Sequence, residues 1–131
     1  MGYDNNPQRS NYFWTHVKSF SRSDDFELLG GVDPDQDRRL EFEKQYQLPS
    51  FQSLADASNL EPDVVVVSVP TIHHGKVVEE SINLFNPKMV LCEKPMANNL
   101  AEAEKIYTLC KKNSVKLYVN YMRAWKNRHG L

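Results

Sequence analysis

Val64-Val65-Val66-Val67-Ser68-Val69-Pro70 and Val90-Leu91-Cys92-Glu93-Lys94-Pro95 are the two stretches that decide the fold class of this chain. Each is apolar on consecutive positions and stops at a proline. A strand with one solvated face alternates apolar and polar residues, whereas a continuously apolar one is buried on both faces, as in parallel sheets. The runs predict strands from Val64 to Val69 and from Met89 to Cys92. Between them Val78, Ile82 and Phe85 fall on one face of a helix.

Working outward, Asn99 can cap a further helix, and Glu102 three residues on can reach back to the cap's N–H. Acidic Glu102 and Glu104 early and basic Lys111 and Lys112 late suit the helix dipole, and Leu100, Ala103, Tyr107 and Cys110 read as the inward face. Val115 to Val119 reads as a last strand, followed by polar, irregular sequence. Towards the N-terminus, Phe26 to Val32 reads as a short strand weakened by its glycines, and Gln36 to Tyr46 as a charged helix with Leu40 and Tyr46 among its few apolar positions. Leu48-Pro49-Ser50-Phe51 reads as a connector and Ser53 to Ala57 as a helical turn. Phe13, Val17 and Phe20 place an earlier helix, starting at Ser10 or Asn11 and broken at Ser23-Asp24-Asp25. Strict alternation of helix and strand predicts an α/β fold: a doubly wound, Rossmann-like parallel sheet with both faces covered.

Composition narrows the function classes. At 131 residues the chain is one domain at most, and 40% hydrophobic with 25% charged residues is ordinary for a globular protein. A net charge of −1 offers no basic footprint for nucleic acid. No apolar run reaches membrane-spanning length, and the polar start lacks a signal-peptide pattern. Cys92 and Cys110 read as buried reduced thiols of a cytoplasmic protein, with no metal site.

In a parallel sheet ligands bind beyond the carboxyl ends of the strands. Asp33 ends the first strand, where a carboxylate can hold both ribose hydroxyls of an adenosine and repel a 2′-phosphate; this favours NAD. Arg38 and Arg39 follow within a turn and partly offset that, so NADP stays open. The plainer alternative makes Asp33-Pro34-Asp35 a turn and helix cap. Ser68-Val69-Pro70-Thr71 allows close approach of a dinucleotide, or is a simple strand-to-helix turn. His73 and His74 are adjacent, so they cannot chelate one metal well; a single histidine at the cleft mouth or a solvated one fits better. Lys94 can donate to a hydroxyl or carbonyl oxygen of a substrate and, beside a cationic ring, move a proton. Glu93 can orient Lys94 or bind a ribose hydroxyl. The alternative is a surface ion pair beside a turn proline.

Together these stretches resemble the Gfo/Idh/MocA family, the relatives of glucose–fructose oxidoreductase and inositol dehydrogenase. The matching features, in order, are Val32-Asp33-Pro34-Asp35, Ser68-Val69-Pro70 with His74 four residues past the proline, Cys92-Glu93-Lys94-Pro95-Met96-Ala97, and Asn120-Tyr121-Met122-Arg123. The Glu-Lys-Pro block is the specific part. The resemblance implies a nicotinamide-binding domain in which Asp33 holds the adenosine ribose. Arg38, Ser68, Val69, Pro70, His74, Glu93, Lys94 and Arg123 would join the cofactor site. Lys94 would be the catalytic residue, beside nicotinamide and a sugar or polyol hydroxyl. Hydride would pass between that carbon and nicotinamide C4.

Two departures accompany the resemblance. No glycine-rich phosphate loop precedes Ser10, and the chain stops eight residues after Arg123, before any substrate domain. The expectation is a fragment: residues 1–121 as an incomplete cofactor domain and 122–131 as the start of an exit to a second domain, without turnover by itself. The absent first strand is expected between the strand ending at Asp33 and the one ending at Cys92, which either pair directly or keep unpaired inner edges. Such edges support the competing expectation of a non-catalytic, subunit-pairing module, and they leave a homo-oligomer open.

Overall fold

The computed structural model describes residues 15–121. The expected helix start at Ser10 or Asn11, the Arg123 assignment and the 122–131 exit segment lie outside them. The chain divides into two compact units between Ala57 and Ser58.

In the first unit, α1 (His16–Phe20) is capped by Thr15, whose Oγ1 accepts from the Lys18 N–H at 3.3 Å. β1 (Gly31–Val32), α2 (Gln36–Tyr46) and β2 (Ser50–Phe51) follow. β1 and β2 pair in parallel, Gly31 opposite Ser50. β2 falls in the stretch whose sequence predicts a connector, and β1 is shorter than the Phe26 to Val32 run, because a ladder extends only as far as its partner does. The two glycines have a packing reason. A Cβ at Gly30 would stand 2.8 Å from the Pro49 carbonyl oxygen, and one at Gly31 would stand 3.1 Å from the Phe42 ring. Phe42 is the buried residue of α2, whereas Leu40 is 54% exposed.

In the second unit, β3 (Val64–Val67) leads through a 3₁₀ turn (Thr71–His73) into α3 (His74–Phe85). β4 (Met89–Glu93), α4 (Leu100–Lys112) and β5 (Lys116–Asn120) complete it. The three strands are parallel, with β4 in the middle. Val67, Val90, Cys92 and Val115 form one core with Val78 and Ile82 of α3 and Ile106 and Cys110 of α4.

The α/β class and parallel pairing are as the sequence predicts; the layout differs. Among the described residues the strands form two sheets, not one. β4 uses both edges, on β3 and β5, so among the described residues β3 and β5 each pair on one side only, and the expected alternative of direct pairing between the strand ending at Asp33 and β4 does not occur. β4 alternates buried and half-buried residues, and only Val67 of β3 is fully buried. The reason is that α3 and α4 pack against each other over the face carrying Val90 and Cys92.

The inward stripe of α4 also shifts. Ile106 and Cys110 are buried, while Leu100 and Tyr107 are 74% and 57% exposed. Asn99 does cap α4, its Oδ1 accepting from the Glu102 N–H at 2.9 Å. Glu102, however, reaches Asn98, accepting from its backbone N–H at 2.9 Å and its Nδ2 at 3.1 Å. Those bonds to the charged form hold the Glu102 carboxyl below the usual carboxylate range.

Candidate active site

The carboxyl ends of β3, β4 and β5 lie side by side. Val67 pairs with Cys92 and Glu93 with Asn120, so Ser68 leaves β3 next to Glu93 at the end of β4. Glu93 is anchored at both oxygens. Oε1 accepts from Asn120 Nδ2 at 2.7 Å, and Oε2 accepts from the Lys94 backbone N–H at 3.2 Å. The carboxylate thus ties β4 to β5 and fixes the backbone from which Lys94 departs. Lys94 is exposed, as are Ser68 and Pro70, and Val69 is half-buried. The Lys94–Pro95 peptide bond is cis.

His74 is neither solvated nor at a cleft mouth. It is 1% exposed, with Nε2 2.8 Å from the Val69 carbonyl oxygen and Nδ1 3.2 Å from that of Met96. Cys92 Sγ stands 3.4 Å from the same Nδ1. Both ring nitrogens of His74 face partners in the protein interior, where buried polar groups need them, so the ring itself is not exposed at the sheet end. His73 is the exposed member of the pair. Cys92 is a buried free thiol, pushed up from 9.0 to about 11 by burial and by the neighbouring Glu93 carboxylate. Cys110, also free, is raised by burial.

Asp33 and Arg38 meet in the first unit. Asp33 Oδ1 accepts from the Asp35 N–H at 2.9 Å, which makes the turn that the plainer reading predicts, and Asp35 caps α2 through the Arg38 N–H at 3.1 Å. Asp33 Oδ2 remains, 3.7 Å from Arg38 Nη1, with the Asp33 side chain 21% and the Arg38 side chain 63% exposed. Arg39 is committed to the turn, donating to the carbonyl oxygens of Asp33 and Pro34 at 2.8 and 3.0 Å. The structure thus gathers Ser68, Val69, Pro70, Glu93 and Lys94 at one sheet end and pairs Asp33 with Arg38. Asn120 as the partner of Glu93 was not legible in the sequence, because it depends on the β4–β5 register. Among the described residues no group of three His, Cys, Asp or Glu side chains is placed to hold a metal ion, and no helix is long and apolar enough to cross a membrane.

A family model described as an oxidoreductase family with an NAD-binding Rossmann fold, Gfo/Idh/MocA, matches residues 10–121. The chain belongs to the Gfo/Idh/MocA family. A Salmonella typhimurium protein named as an oxidoreductase, YceM, is 32% identical over 99 residues, 75% of this chain and 31% of that protein. The trans-1,2-dihydrobenzene-1,2-diol dehydrogenase of Danio rerio is 32% identical over 81 residues, 59% of this chain and 23% of that protein. The chain thus spans less than a third of the length of these relatives. Among solved structures, the WlbA dehydrogenase of Bordetella pertussis, in complex with NADH and UDP-GlcNAcA, superposes with a TM-score of 0.74 at 23% identity, over 80% of this chain and 32% of that one. The 3-ketoreductase KijD10 of Actinomadura kijaniata, in complex with NADP and TDP-benzene, gives 0.76 at 18% identity, over 87% and 35%. At such identities these structures speak for the Rossmann-like fold of this Gfo/Idh/MocA chain.

Proposed function

We propose that this chain is the nicotinamide-dinucleotide-binding part of an oxidoreductase acting on a hydroxyl-bearing carbon of a sugar or polyol. The observation that carries this reading is the meeting of Ser68–Pro70 and Glu93–Lys94 at adjacent carboxyl ends of a parallel sheet, in a chain of an NAD-binding family. The residues fit the cofactor chemically. Exposed Ser68 and Pro70 leave room for backbone approach, and Asp33 keeps one oxygen outside its own turn for ribose hydroxyls. When bound, the nicotinamide supplies the acceptor or donor of hydride. Lys94 is the catalytic residue in this reading: its Nζ donates to the substrate oxygen and takes or returns the hydroxyl proton. Glu93 holds the backbone from which Lys94 projects. WlbA, a neighbour in fold, is in complex with NADH and the sugar nucleotide UDP-GlcNAcA.

Asp33 favours NAD, and Arg38, at 3.7 Å, is the residue that would accept NADP. A fluorescence titration of the chain with NADH and with NADPH tests this. Saturable binding of NADH, with Asp33→Asn narrowing the difference between the two, is expected. No response to either at roughly millimolar cofactor, the weak end of specific affinity, removes cofactor binding from the chain.

A further inference from the structure

His74 heads the fully buried side chains by size among the described residues, and it sits outside the chemistry assigned so far. It is the first residue of α3, after His73, which stands at the cap position and makes no side-chain cap bond. The His74 ring lies between two main-chain segments. A carbonyl oxygen 2.8 Å from Nε2 needs a donor, so Nε2 carries a proton for Val69, in the segment leaving β3. With that proton on Nε2, Nδ1 of the neutral ring is an acceptor for the Cys92 thiol at 3.4 Å, and the Met96 carbonyl oxygen stands 3.2 Å from the same nitrogen, so the ring meets the segment leaving β4 there. Val69 stands between Ser68 and Pro70, and Cys92 and Met96 flank Glu93-Lys94-Pro95.

We propose that His74 is a positioning residue: its buried ring bridges the segments leaving β3 and β4, and so sets where Lys94 stands relative to Ser68–Pro70. A hydrophobic ring of similar size would fill the space but leave the Val69 carbonyl buried without its donor, which costs more than an absent bond in water. The consequence for Lys94 rests on the cofactor reading above; the bridge does not.

Nuclear magnetic resonance of the full chain with ¹⁵N-labelled histidine, alongside His74→Phe and His74→Gln, tests the proposal. In the unaltered chain the Nε2 proton of His74 is expected to be observable and slow to exchange. His74→Phe should move the backbone amide signals of Lys94 and Ser68 and weaken NADH binding about tenfold, the scale of one lost bond to a buried group. His74→Gln, which keeps an N–H donor, should recover most of that loss. An unprotonated Nε2, an unmoved Lys94 amide in a folded His74→Phe chain, or a His74→Gln chain no better than His74→Phe would overturn the bridge. If His74→Phe does not fold, the Nε2 signal and the His74→Gln chain decide. If the unaltered chain binds no NADH, the cofactor reading fails, and the imidazole and amide signals still decide the bridge.

Discussion

The two units of this chain present their strand ends by different means. In the first, β1 and β2 are two residues each, and Asp33 is held by local turn chemistry: its own Oδ1, the Asp35 cap and the Arg39 guanidinium. In the second, strands of four and five residues rest on a shared core, and Lys94 departs from a backbone fixed by Glu93, Asn120 and the end of β4. A carboxylate that binds by accepting hydrogen bonds needs only an accessible turn. An amine that must meet a reacting atom needs a strand end that does not move.

The largest effects are expected in the cores of the two units. Ile82→Ala, at a residue 3% exposed, should cost about 3 kcal/mol, and Phe42→Ala, at 2% exposed, about 4 kcal/mol. Denaturant unfolding measures both. In hydrogen exchange, α2 and β1 should lose protection in Phe42→Ala, and retained protection there would mean that the first unit does not depend on its aromatic plug.

Next comes the close approach at β1. Gly30→Ala sets a methyl against the Pro49 carbonyl and should cost about 2 kcal/mol. A neutral result would mean that β2 gives way easily.

Alkaline pH sharpens the contrast from the other side. The Cys92 thiol ionises near 9.0 when unfolded and only at about 11 in the fold. The unfolded chain therefore loses its proton first. This contribution to stability is complete below pH 9.0 and falls as pH rises through about 11. Cys92→Ala should flatten that decline, as followed by thermal unfolding between these limits.

The smallest effect expected is at the start of α4. Asn99→Ala should cost about 1 kcal/mol through the lost cap, while Leu100→Ala beside it should cost under about 0.5 kcal/mol because the side chain is exposed.

The sequence carries the local chemistry of this molecule well and its pairing poorly. The proline-stopped apolar runs mark β3 and β4, Asn99 marks the cap of α4, and Asp33-Pro34-Asp35 marks a turn, because each depends on neighbours within a few residues. Ser50-Phe51 reads as a connector because a two-residue strand has no period to detect, and it becomes a strand only through Gly31 and Val32. The inward stripe of α4 is misplaced because Leu100 and Tyr107 satisfy the apolar spacing as well as Ile106 does; contact with α3 decides between them. His74 reads as a solvated or cleft residue because nothing local reveals two carbonyl oxygens, 5 and 22 residues away, converging on its ring. The Glu93–Asn120 bond joins residues 27 apart and follows only from the β4–β5 register.

Backbone amide mapping of the ¹⁵N-labelled chain on titration with NADH decides directly whether the carboxyl ends of β3 and β4 form the cofactor surface. Saturable shifts are expected at Ser68, Val69, Glu93 and Lys94, with the outer face of α4 around Glu104 and Thr108 unmoved. Shifts confined to α4, or none at the β3 and β4 ends while NADH binds elsewhere, would contradict it.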